Sequence, residues 1–427
     1  MQPDYSSRAE RIMQRIHALA AISEDADGVT RTFGTPAFLE GRALVQSWCE
    51  AAGLATRLDG IGNLRARLAS ANPRAKTFVL ASHIDTVVNA GKFDGPLGVL
   101  MGLDLLENLR ERPAPLPFHV ELIAFSDEEG VRFHSTYLGS TVVAGSFDHG
   151  WLTRADAGGI TLARALEMME ADVARIGDDA ISADDWLGYF EMHIEQGPVL
   201  WERGIPVALV TAIAGQMRVE LTFTGMAGHA GTVPMGMRQD ALCAAAEFVL
   251  IVEQFALQHG RGLVATVGKL ALSHAASNVI PGEVVLSLDL RSPDATQLAD
   301  AYGALRNYTK ALAAQRNVAL SWNLIQETAP ATCDAALNET LAEAIADAGH
   351  EVVALVSGAG HDAVPISAVA PATMMFIRCY KGISHNPLED VEMADLAAAI
   401  EVADRFLARL AVEVARQQAA AAAAQRG

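Results

Sequence analysis

The chain has 427 residues, too many for one hydrophobic core, and this length predicts two domains. Acidic residues outnumber basic ones by 51 to 32, and the formal net charge is -19. This balance argues against a nucleic-acid partner, because phosphates require a basic surface. Scattered cysteines, a polar N-terminus and the lack of an apolar run of about 20 residues predict a cytoplasmic protein that does not contact a membrane.

Alternating helical and strand patterns predict an α/β domain at the two ends of the chain. Amphipathic periodicity predicts helices over residues 8–22, 36–53, 97–112, 339–348 and from 388 onward. Short apolar runs predict buried strands over residues 77–82, 118–125, 352–356 and 372–377. This alternation favours a largely parallel sheet with helices on its faces.

The middle of the chain has a different order of elements. Strands are predicted over residues 217–225, 263–272, 283–291 and 318–325, and helices over 238–259 and 294–314. The order βαββαβ is typical of a small ferredoxin-like sandwich. We expect residues 211–327 to form an inserted lid and dimerisation domain, and residues 1–210 and 328–427 to form the catalytic domain.

Five short segments concentrate side chains that bind metals. Two of them follow buried strands directly: His83 and Asp85 lie in SHIDT, and Glu128 and Glu129 lie in SDEEG. Ligands of α/β proteins collect beyond the carboxyl ends of strands. Adjacent carboxylates repel each other there, and a cation or a proton relieves the repulsion. The other three segments are GKFDGP (91–96), EMHIEQG (191–197) and GISHNP (382–387).

Each segment also has a simpler structural explanation. Asp94 fits a turn, because Asp-Gly-Pro is a common turn sequence. Glu128 and Glu129 fit the start of a solvated helix, where acids suit the helix dipole. His193 and His385 fit ordinary loop histidines. The residues alone therefore leave a metal site and a purely structural role open.

Read in order, the segments resemble the carbamoylase and allantoate amidohydrolase branch of the two-metal aminoacylase/carboxypeptidase-type hydrolases. HIEQGP and GISHNP are typical of this branch rather than of the peptidases. The resemblance implies an α/β fold, with a large mixed-sheet catalytic domain and an inserted ferredoxin-like lid. The matching stretches lie between residues 82 and 389 and read SHIDTV, GKFDGPLGV, FSDEEGVRF, HIEQGPVL, GHAGTVPM, SNVIPG, GAGHDA and GISHNPLE.

The resemblance further implies two divalent metal ions in each subunit. One ion would be held by His83, Asp94 and His193. The other would be held by Asp94, Glu129 and His385, with Asp94 bridging the two. Histidine and carboxylate ligands suit Zn or Mn, and Co or Ni also fit.

Three further residues match catalytic positions of the family. Glu128 matches the general base, and Asp85 matches the carboxylate that orients His83. His229, in the predicted lid, matches a histidine that stabilises the oxyanion, in its own or in the partner's active site.

Four residues match substrate contacts. Asn278 and Arg291 match residues that hold the substrate's carboxylate, for which a planar guanidinium is well suited. An ion pair with a neighbouring aspartate is the structural alternative for Arg291. Gln196 and the backbone around Ala359 match further substrate contacts.

The chain departs from the family pattern just before the last predicted metal ligand. Arg378, Cys379, Tyr380 and Lys381 stand where relatives more often have small or acidic residues. The charged and aromatic side chains either strengthen the local positive field or cover the surface. Cys379 is interpreted as buried filler.

These features predict hydrolysis of an N-carbamoyl-L-amino acid to the amino acid, ammonia and carbon dioxide by a homodimer that pairs through its lids. Allantoate is the closest alternative substrate, because it also carries a ureido group beside a carboxylate. N-carbamoyl-β-alanine, an N-acyl amino acid or a dipeptide are further alternatives. A metal-binding protein without catalysis is the non-enzymatic alternative, and the spare carboxylate of Glu128 argues against it.

Overall fold

The structure is a computed structural model, which describes residues 4–111, 116–260 and 262–424. The last residue of the helix predicted over 97–112 lies outside these ranges. The chain divides into two units. Unit 1 contains Met1–Thr211, Cys333–Leu355 and His361–Gly427, and unit 2 contains Ala212–Thr332 and Val356–Gly360.

Helices and strands alternate through most of the described residues. The α-helices are α1 (Tyr5–Ala20), α2 (Pro36–Ala51), α3 (Pro96–Arg110), α4 (Leu138–Val143), α5 (Leu162–Met168), α6 (Val199–Arg203), α7 (Ala241–His259), α8 (Ala295–Gln315), α9 (Ala335–Asp347), α10 (Ala363–Ser367) and α11 (Met393–Ala424). The strands are β1 (Ala55–Leu58), β2 (Leu64–Leu68), β3 (Thr77–His83), β4 (His119–Phe125), β5 (Trp186–Ile194), β6 (Val207–Ile213), β7 (Gly215–Thr224), β8 (Gly228–His229), β9 (Val264–Thr266), β10 (Leu270–Leu272), β11 (Val279–Ile280), β12 (Glu283–Ser292), β13 (Ala319–Thr328), β14 (Ala331–Thr332), β15 (Ala354–Ser357) and β16 (Ala372–Ile377).

The larger sheet is mixed, as the resemblance implied. Its order is β1-β2-β4-β3-β5-β16-β6-β14, and β15 pairs with β6. The central strands β4, β3, β5 and β16 run parallel, whereas β1, β2 and β6 pair with their neighbours in antiparallel fashion. The expectation of a largely parallel sheet is therefore correct for the centre and wrong for the flanks. The link between β1 and β2 is too short for a crossover helix, so these strands form a hairpin.

The apolar side chains of the central strands build the core of unit 1. Every residue of β3 and β4 is buried. Phe406 of α11 packs against Phe78 of β3 and Phe190 of β5, with ring centroids 5.9 and 4.7 Å apart. Aromatic contacts of this kind add to the burial of apolar area. The central strands are thus fixed rigidly, and so are the side chains at their ends.

Unit 2 contains the predicted ferredoxin-like sandwich. Its antiparallel sheet has the order β10-β12-β7-β13, with β9 also paired to β12. The single strand predicted over 263–272 is two short strands, because the chain leaves the sheet between them. By length and composition, α7 could span a membrane, with a mean hydropathy of 1.5. Its buried face belongs to the core of this unit, as in a core helix.

Two helical glycines allow a test of how closely α3 packs on the central sheet. A Cβ atom at Gly98 of α3 would lie 2.2 Å from the carbonyl oxygen of Met192 and 2.8 Å from Cβ of Ser82. Around Gly303 of α8, no atom of the described residues lies within 4 Å of such a Cβ. We expect Gly98→Ala to lower the stability of unit 1 by about 1–3 kcal/mol through overpacking.

The matched variant Gly303→Ala should stabilise unit 2 by about 0.5–1 kcal/mol, because alanine is the better helix former. Scanning calorimetry would measure both effects as shifts in Tm. An unchanged Tm for Gly98→Ala would contradict the close packing of α3.

Candidate metal centre

The carboxyl ends of the central parallel strands lie at one edge of the sheet in unit 1. β3 ends at His83, β5 ends at Ile194 next to His193, and β4 runs directly into the loop that carries Glu128. Asp94 lies in the loop before α3. Because parallel strands present their carboxyl ends at the same edge, the sheet brings these distant segments together.

Asp94 stands at the middle of the cluster and faces a different group with each carboxylate oxygen. Its Oδ1 lies 3.1 Å from Nε2 of His193 and 3.7 Å from Nε2 of His83. Its Oδ2 lies 3.0 Å from Nε2 of His385, which is itself 3.5 Å from Oε1 of Glu129. The predicted metal ligands therefore form two groups that share Asp94.

The donors of both groups fit a divalent cation. Ligand atoms bonded to one tetrahedral ion at about 2.0–2.1 Å lie roughly 3.3 Å from each other, close to the observed spacing. Ligand atoms of each predicted trio lie within 4.8 Å of one another, and the same holds for His83, Glu128 and Glu129. In the described part of the chain, the buried Nε2 of His193 has no hydrogen-bond partner, as expected for a ligand atom.

Main-chain carbonyls orient the two buried histidines. Nδ1 of His83 lies 3.0 Å from the carbonyl oxygen of Asp85, and Nδ1 of His193 lies 2.9 Å from that of Ile194. An imidazole that donates its Nδ1–H to a carbonyl keeps the lone pair on Nε2. In both rings Nε2 is the atom that would bind a cation, and it faces Oδ1 of Asp94.

Buried acids give this edge of the sheet an excess of negative charge. Burial and the neighbouring Glu129 raise the pKa of Glu128 well above its usual range. Burial and Asp94 raise the pKa of Glu129 to about 8. Burial similarly raises the pKa of three further carboxyls, those of Asp127, Glu191 and Asp362. A cation among these groups would relieve the repulsion.

Asp94 is the exception among these acids. Burial alone would raise the pKa of Asp94, but the neighbouring imidazoles of His193 and His385 hold it well below its usual range. In return, Asp94 raises the pKa of His193 and of His385 to about 9 each, against the effect of burial. Asp94 is therefore the ionised carboxylate around which positive charge collects.

The carboxylate of Asp85 has a different contact from the expected one. It lies 3.8 Å from Nδ1 of His83, too far for a hydrogen bond, and His83 is oriented by the main-chain carbonyl of Asp85 instead. The two carboxylate oxygens accept the backbone N–H groups of Glu128 and Glu129, at 3.1 and 3.2 Å. These N–H groups face Asp85 because the chain turns sharply at Asp127, whose φ is 55°. Asp85 thus fixes the loop that carries the acids.

Gln196, a predicted substrate contact, lies within the cluster of predicted metal ligands. Its Nε2 donates to Oδ2 of Asp94 at 2.9 Å and to Oγ of Ser384 at 3.2 Å. Its Oε1 is buried and has no partner among the described residues. Gln196 and His385 share the left-handed backbone conformation of Asp127, with φ of 55° and 54°.

Glu389 in GISHNPLE could not be recognised by its periodicity, because residues from 388 onward are predicted to be helical. In the structure α11 begins only at Met393, and Glu389 is buried behind the Asp94 loop. The family motif GISHNPLE ends on this residue and was the signal that could have identified it.

The unusual segment before His385 anchors the loop. Arg378 donates to Asp395 of α11 at 2.7 Å and to Glu392 at 2.9 Å, so its charge is neutralised there. Tyr380 packs edge-on against Trp201, with ring centroids 5.0 Å apart. Lys381 lies over the Tyr380 ring. The contacts of Arg378 and Tyr380 therefore favour surface cover over a stronger positive field, and Cys379 is buried as interpreted.

The remaining predicted residues belong to unit 2. β8 pairs with β11, which places His229 opposite Val279, and the N–H of Ala230 donates to the carbonyl of Asn278. Nδ1 of the exposed His229 accepts the N–H of Gly231 at 3.0 Å. A neutral ring that accepts at Nδ1 carries its proton on Nε2. His229 is therefore prepared to donate a hydrogen bond.

Arg291 makes the ion pair considered as its structural alternative. Nε and Nη2 bond to Asp289 at 2.8 and 3.1 Å, and Nη1 donates to the carbonyl of Gly358 at 2.6 Å. Ala359 bonds to Ser357 through both its N–H and its carbonyl oxygen. Both polar main-chain groups of Ala359 thus have a partner in the same loop, and the contact of this backbone with substrate stays a prediction.

The pKa shifts predict how a cation stabilises the protein. Folding raises the pKa of Glu129 from 4.5 to about 8 and that of His385 from 6.5 to about 9. Between pH 6.5 and 8 the folded protein thus holds more protons than the unfolded chain, and the metal-free protein loses stability as the pH rises. A hundredfold excess of free Mn²⁺ over its Kd should add about 2.7 kcal/mol.

Because ligands must lose their protons to bind a cation, a fixed Mn²⁺ concentration should raise Tm more at pH 8 than at pH 6.5. Scanning fluorimetry would measure this difference, with Asp94→Asn as the variant that should lose the increment. Equal increments at both pH values would refute the predicted linkage.

Comparison with known proteins places this arrangement in a family. Residues 79–409 match the sequence profile of Peptidase family M20/M25/M40. The N-carbamoyl-L-amino acid amidohydrolase of Geobacillus stearothermophilus is 37% identical over 396 residues, which cover 92% of this chain and 97% of that protein. The allantoate deiminase of Arabidopsis thaliana is 36% identical over 421 residues, which cover 91% of this chain and 80% of that protein.

A solved structure agrees with the sequence comparison. An amidase of the hydantoinase/carbamoylase family from Burkholderia multivorans matches with a TM-score of 0.89 and 34% identity, covering 94% of this chain and 98% of that chain. The family, the names of the relatives and the buried cluster of histidines and carboxylates agree with one another. This chain therefore belongs to Peptidase family M20/M25/M40, a family of metal-dependent hydrolases, and is a hydrolytic enzyme that acts on amide or ureido bonds.

Proposed function

We propose that this enzyme hydrolyses the carbamoyl C–N bond of a small N-carbamoyl-L-amino acid and releases the amino acid, ammonia and carbon dioxide. The observation that carries the hydrolytic chemistry is the position of Glu128, and the similarity to the amidohydrolase of Geobacillus stearothermophilus supports this substrate class. The buried carboxylate of Glu128 stands beside Glu129 and His83, and each predicted cation position has three ligands without it. A binding site alone would not need this additional acid.

Two cation positions belong to the proposal. One lies between His83, Asp94 and His193, and the other between Asp94, Glu129 and His385. Zn and Mn both suit these donors, and Co or Ni would also fit. When bound, such ions supply Lewis acidity to the scissile carbonyl and to a water.

The chain's own residues move the protons. Glu128 accepts a proton from the attacking water and returns it to the leaving nitrogen. Burial raises the pKa of Glu128, and a carboxylate with a raised pKa is a stronger proton acceptor. Asp85 accepts the backbone N–H of Glu128 and so fixes the main chain that carries the general base. His229, in its own or in the partner's active site, donates its Nε2–H to the developing oxyanion.

The substrate's carboxylate is assigned to Arg291 and Asn278. A guanidinium has five N–H groups, of which three are used in the contacts of the described residues, so two remain for the substrate. Gln196, whose Oε1 lacks a partner among the described residues, is assigned to the ureido nitrogen. The backbone around Ala359 is assigned to a further contact with the substrate.

Allantoate is the second candidate, supported by the similarity to the Arabidopsis allantoate deiminase. It presents the same ureido group beside a carboxylate, so the same residues would bind it. Side-chain pockets rather than metal ligands separate these substrates. N-carbamoyl-β-alanine, N-acyl amino acids and dipeptides are the remaining alternatives.

Ammonia release from a panel of substrates tests the proposal. The enzyme, reconstituted with Mn²⁺ or Zn²⁺, is expected to turn over N-carbamoyl-L-amino acids and to stop when the metal is chelated. Turnover of allantoate alone would favour the second candidate. Release of amino acid from N-acyl amino acids or dipeptides alone would contradict both, and silence with metal bound would favour a binding protein without catalysis.

Replacing the proposed base separates catalysis from metal binding. We expect Glu128→Gln to lower kcat by about 10²–10⁴ while the metal content stays unchanged, because only proton transfer is lost. Glu167→Gln is the control, since Glu167 is an exposed partner of Arg164. Steady-state kinetics would measure kcat, and metal analysis would measure the bound metal. Full activity of Glu128→Gln would show that Glu128 is not the general base.

We also propose a cytoplasmic homodimer that pairs through unit 2. β13 lies at the edge of its sheet and exposes Leu324 and Ile325. Exposed apolar edges favour pairing with another chain. Light scattering at micromolar concentration should give twice the mass of the chain, and Ile325→Lys should give the monomer. Val412→Lys, on the exposed face of α11, should stay dimeric, and a monomeric wild type would disprove the pairing.

A further inference from the structure

A buried carboxylate lies directly behind the loop that carries Asp94. Glu389 is 1% exposed. Its Oε1 accepts the backbone N–H of Phe93 at 2.7 Å and that of Asp94 at 3.1 Å. A Cβ atom at Gly91 would lie 2.3 Å from Cβ of Glu389, so the loop and the acid are in close contact. The main chain of Asp94 is thus fixed by a residue from a distant part of the sequence.

The other oxygen of Glu389 reaches the side chain of Asp94 through Ser384. Oγ of Ser384 lies 3.1 Å from Oε2 of Glu389 and 3.0 Å from Oδ2 of Asp94. Ser384 is the neighbour of His385, whose Nε2 faces the same Oδ2. Glu389 therefore touches the main chain of one predicted ligand and, through a hydroxyl, the loop of another.

The two predicted cation positions are supported differently. His83 and His193 lie within strands of the central sheet, which fix them. His385 lies in a loop, and its side chain is 49% exposed. The distance between His385 and Asp94 consequently depends on how two loops are held together.

We propose that Glu389 is a positioning residue for the cation between Asp94, Glu129 and His385. The inference rests on the proposed function, because it presumes that cation. Glu389 acts through its hydrogen bonds, which hold the Asp94 loop and the His385 loop in register. The cation held by His83 and His193 depends on it less, since strands support those ligands.

A second buried carboxylate of the metal centre holds a loop through its backbone in the same way. Asp85 accepts two successive backbone N–H groups, those of Glu128 and Glu129. Asp85 and Glu389 thus accept hydrogen bonds from the backbone of a loop, and neither is a predicted metal ligand.

Mn²⁺ binding to the metal-free full-length protein tests the inference, with calorimetric titration for affinity and scanning fluorimetry for Tm. Glu389→Ala should weaken one of the two Mn²⁺ sites, assigned to Asp94, Glu129 and His385, by about 10- to 100-fold, as is usual when a partner of a ligand is removed. Glu389→Gln should bind much as the wild type does, because the amide oxygen still accepts both N–H groups. Ser384→Ala should weaken the same site, because it cuts the link to Asp94.

Asp294→Ala is the matched control for a merely structural loss. Asp294 also accepts two successive backbone N–H groups, those of Thr296 and Gln297, at the start of α8 in unit 2. This variant should lower Tm and leave Mn²⁺ affinity unchanged. A lower Tm alone is thus distinguished from a lost positioning contact.

The outcomes separate the inference from the proposal beneath it. A wild type that takes up no Mn²⁺ would overturn the proposed metal centre. A wild type that binds Mn²⁺, with Glu389→Ala binding equally well, would overturn the positioning role alone. If Glu389→Gln and Glu389→Ala weakened Mn²⁺ binding equally, the positioning role would also be overturned. The lost negative charge of Glu389, rather than its lost hydrogen bonds, would then be the cause. If Glu389→Ala fails to fold, wild-type affinity of Ser384→Ala would overturn it instead.

Discussion

Negative charge buried at one edge of a rigid sheet is the constraint on which the site depends. Carboxylates from several loops meet there away from water, and only a few basic groups accompany them. Burying an unpaired charge is costly, so every such group needs a donor, a proton or a cation. The positions of the histidines, the turns of the loops and the need for metal all follow from how this charge is compensated.

Six of the buried acids divide into two kinds according to what compensates them. Asp94, Glu128 and Glu129 point into the cluster, where a cation or a proton must balance them. Others bond to pairs of successive backbone N–H groups and hold the loops in place, namely Asp85, Glu195 and Glu389. A carboxylate of the second kind resembles a ligand in sequence. Only the direction of its side chain shows that it belongs to the scaffold.

The sequence predicts the strands and the segments that meet at their ends, but not which carboxylates bond to loop backbones. The apolar runs of β3, β4 and β16 were predictable, and so was the meeting of the segments that follow them. β5 was overlooked as a strand because Glu191 and His193 interrupt its apolar run, although both are buried in the sheet. The contacts of Asp85 and Glu389 could not be predicted, because they depend on loop turns. The ion pair of Arg291 with Asp289 had been considered, but periodicity could not decide it.

The left-handed turns at Asp127, Gln196 and His385 have a practical consequence for redesigning this enzyme. In this conformation a β-branched side chain collides with its own main chain, so valine, isoleucine and threonine are excluded in practice. Libraries that randomise these three positions would therefore lose the variants that carry a β-branched residue there. Diversity is better placed at positions whose backbone is extended or helical, where a substitution need not disturb these loops.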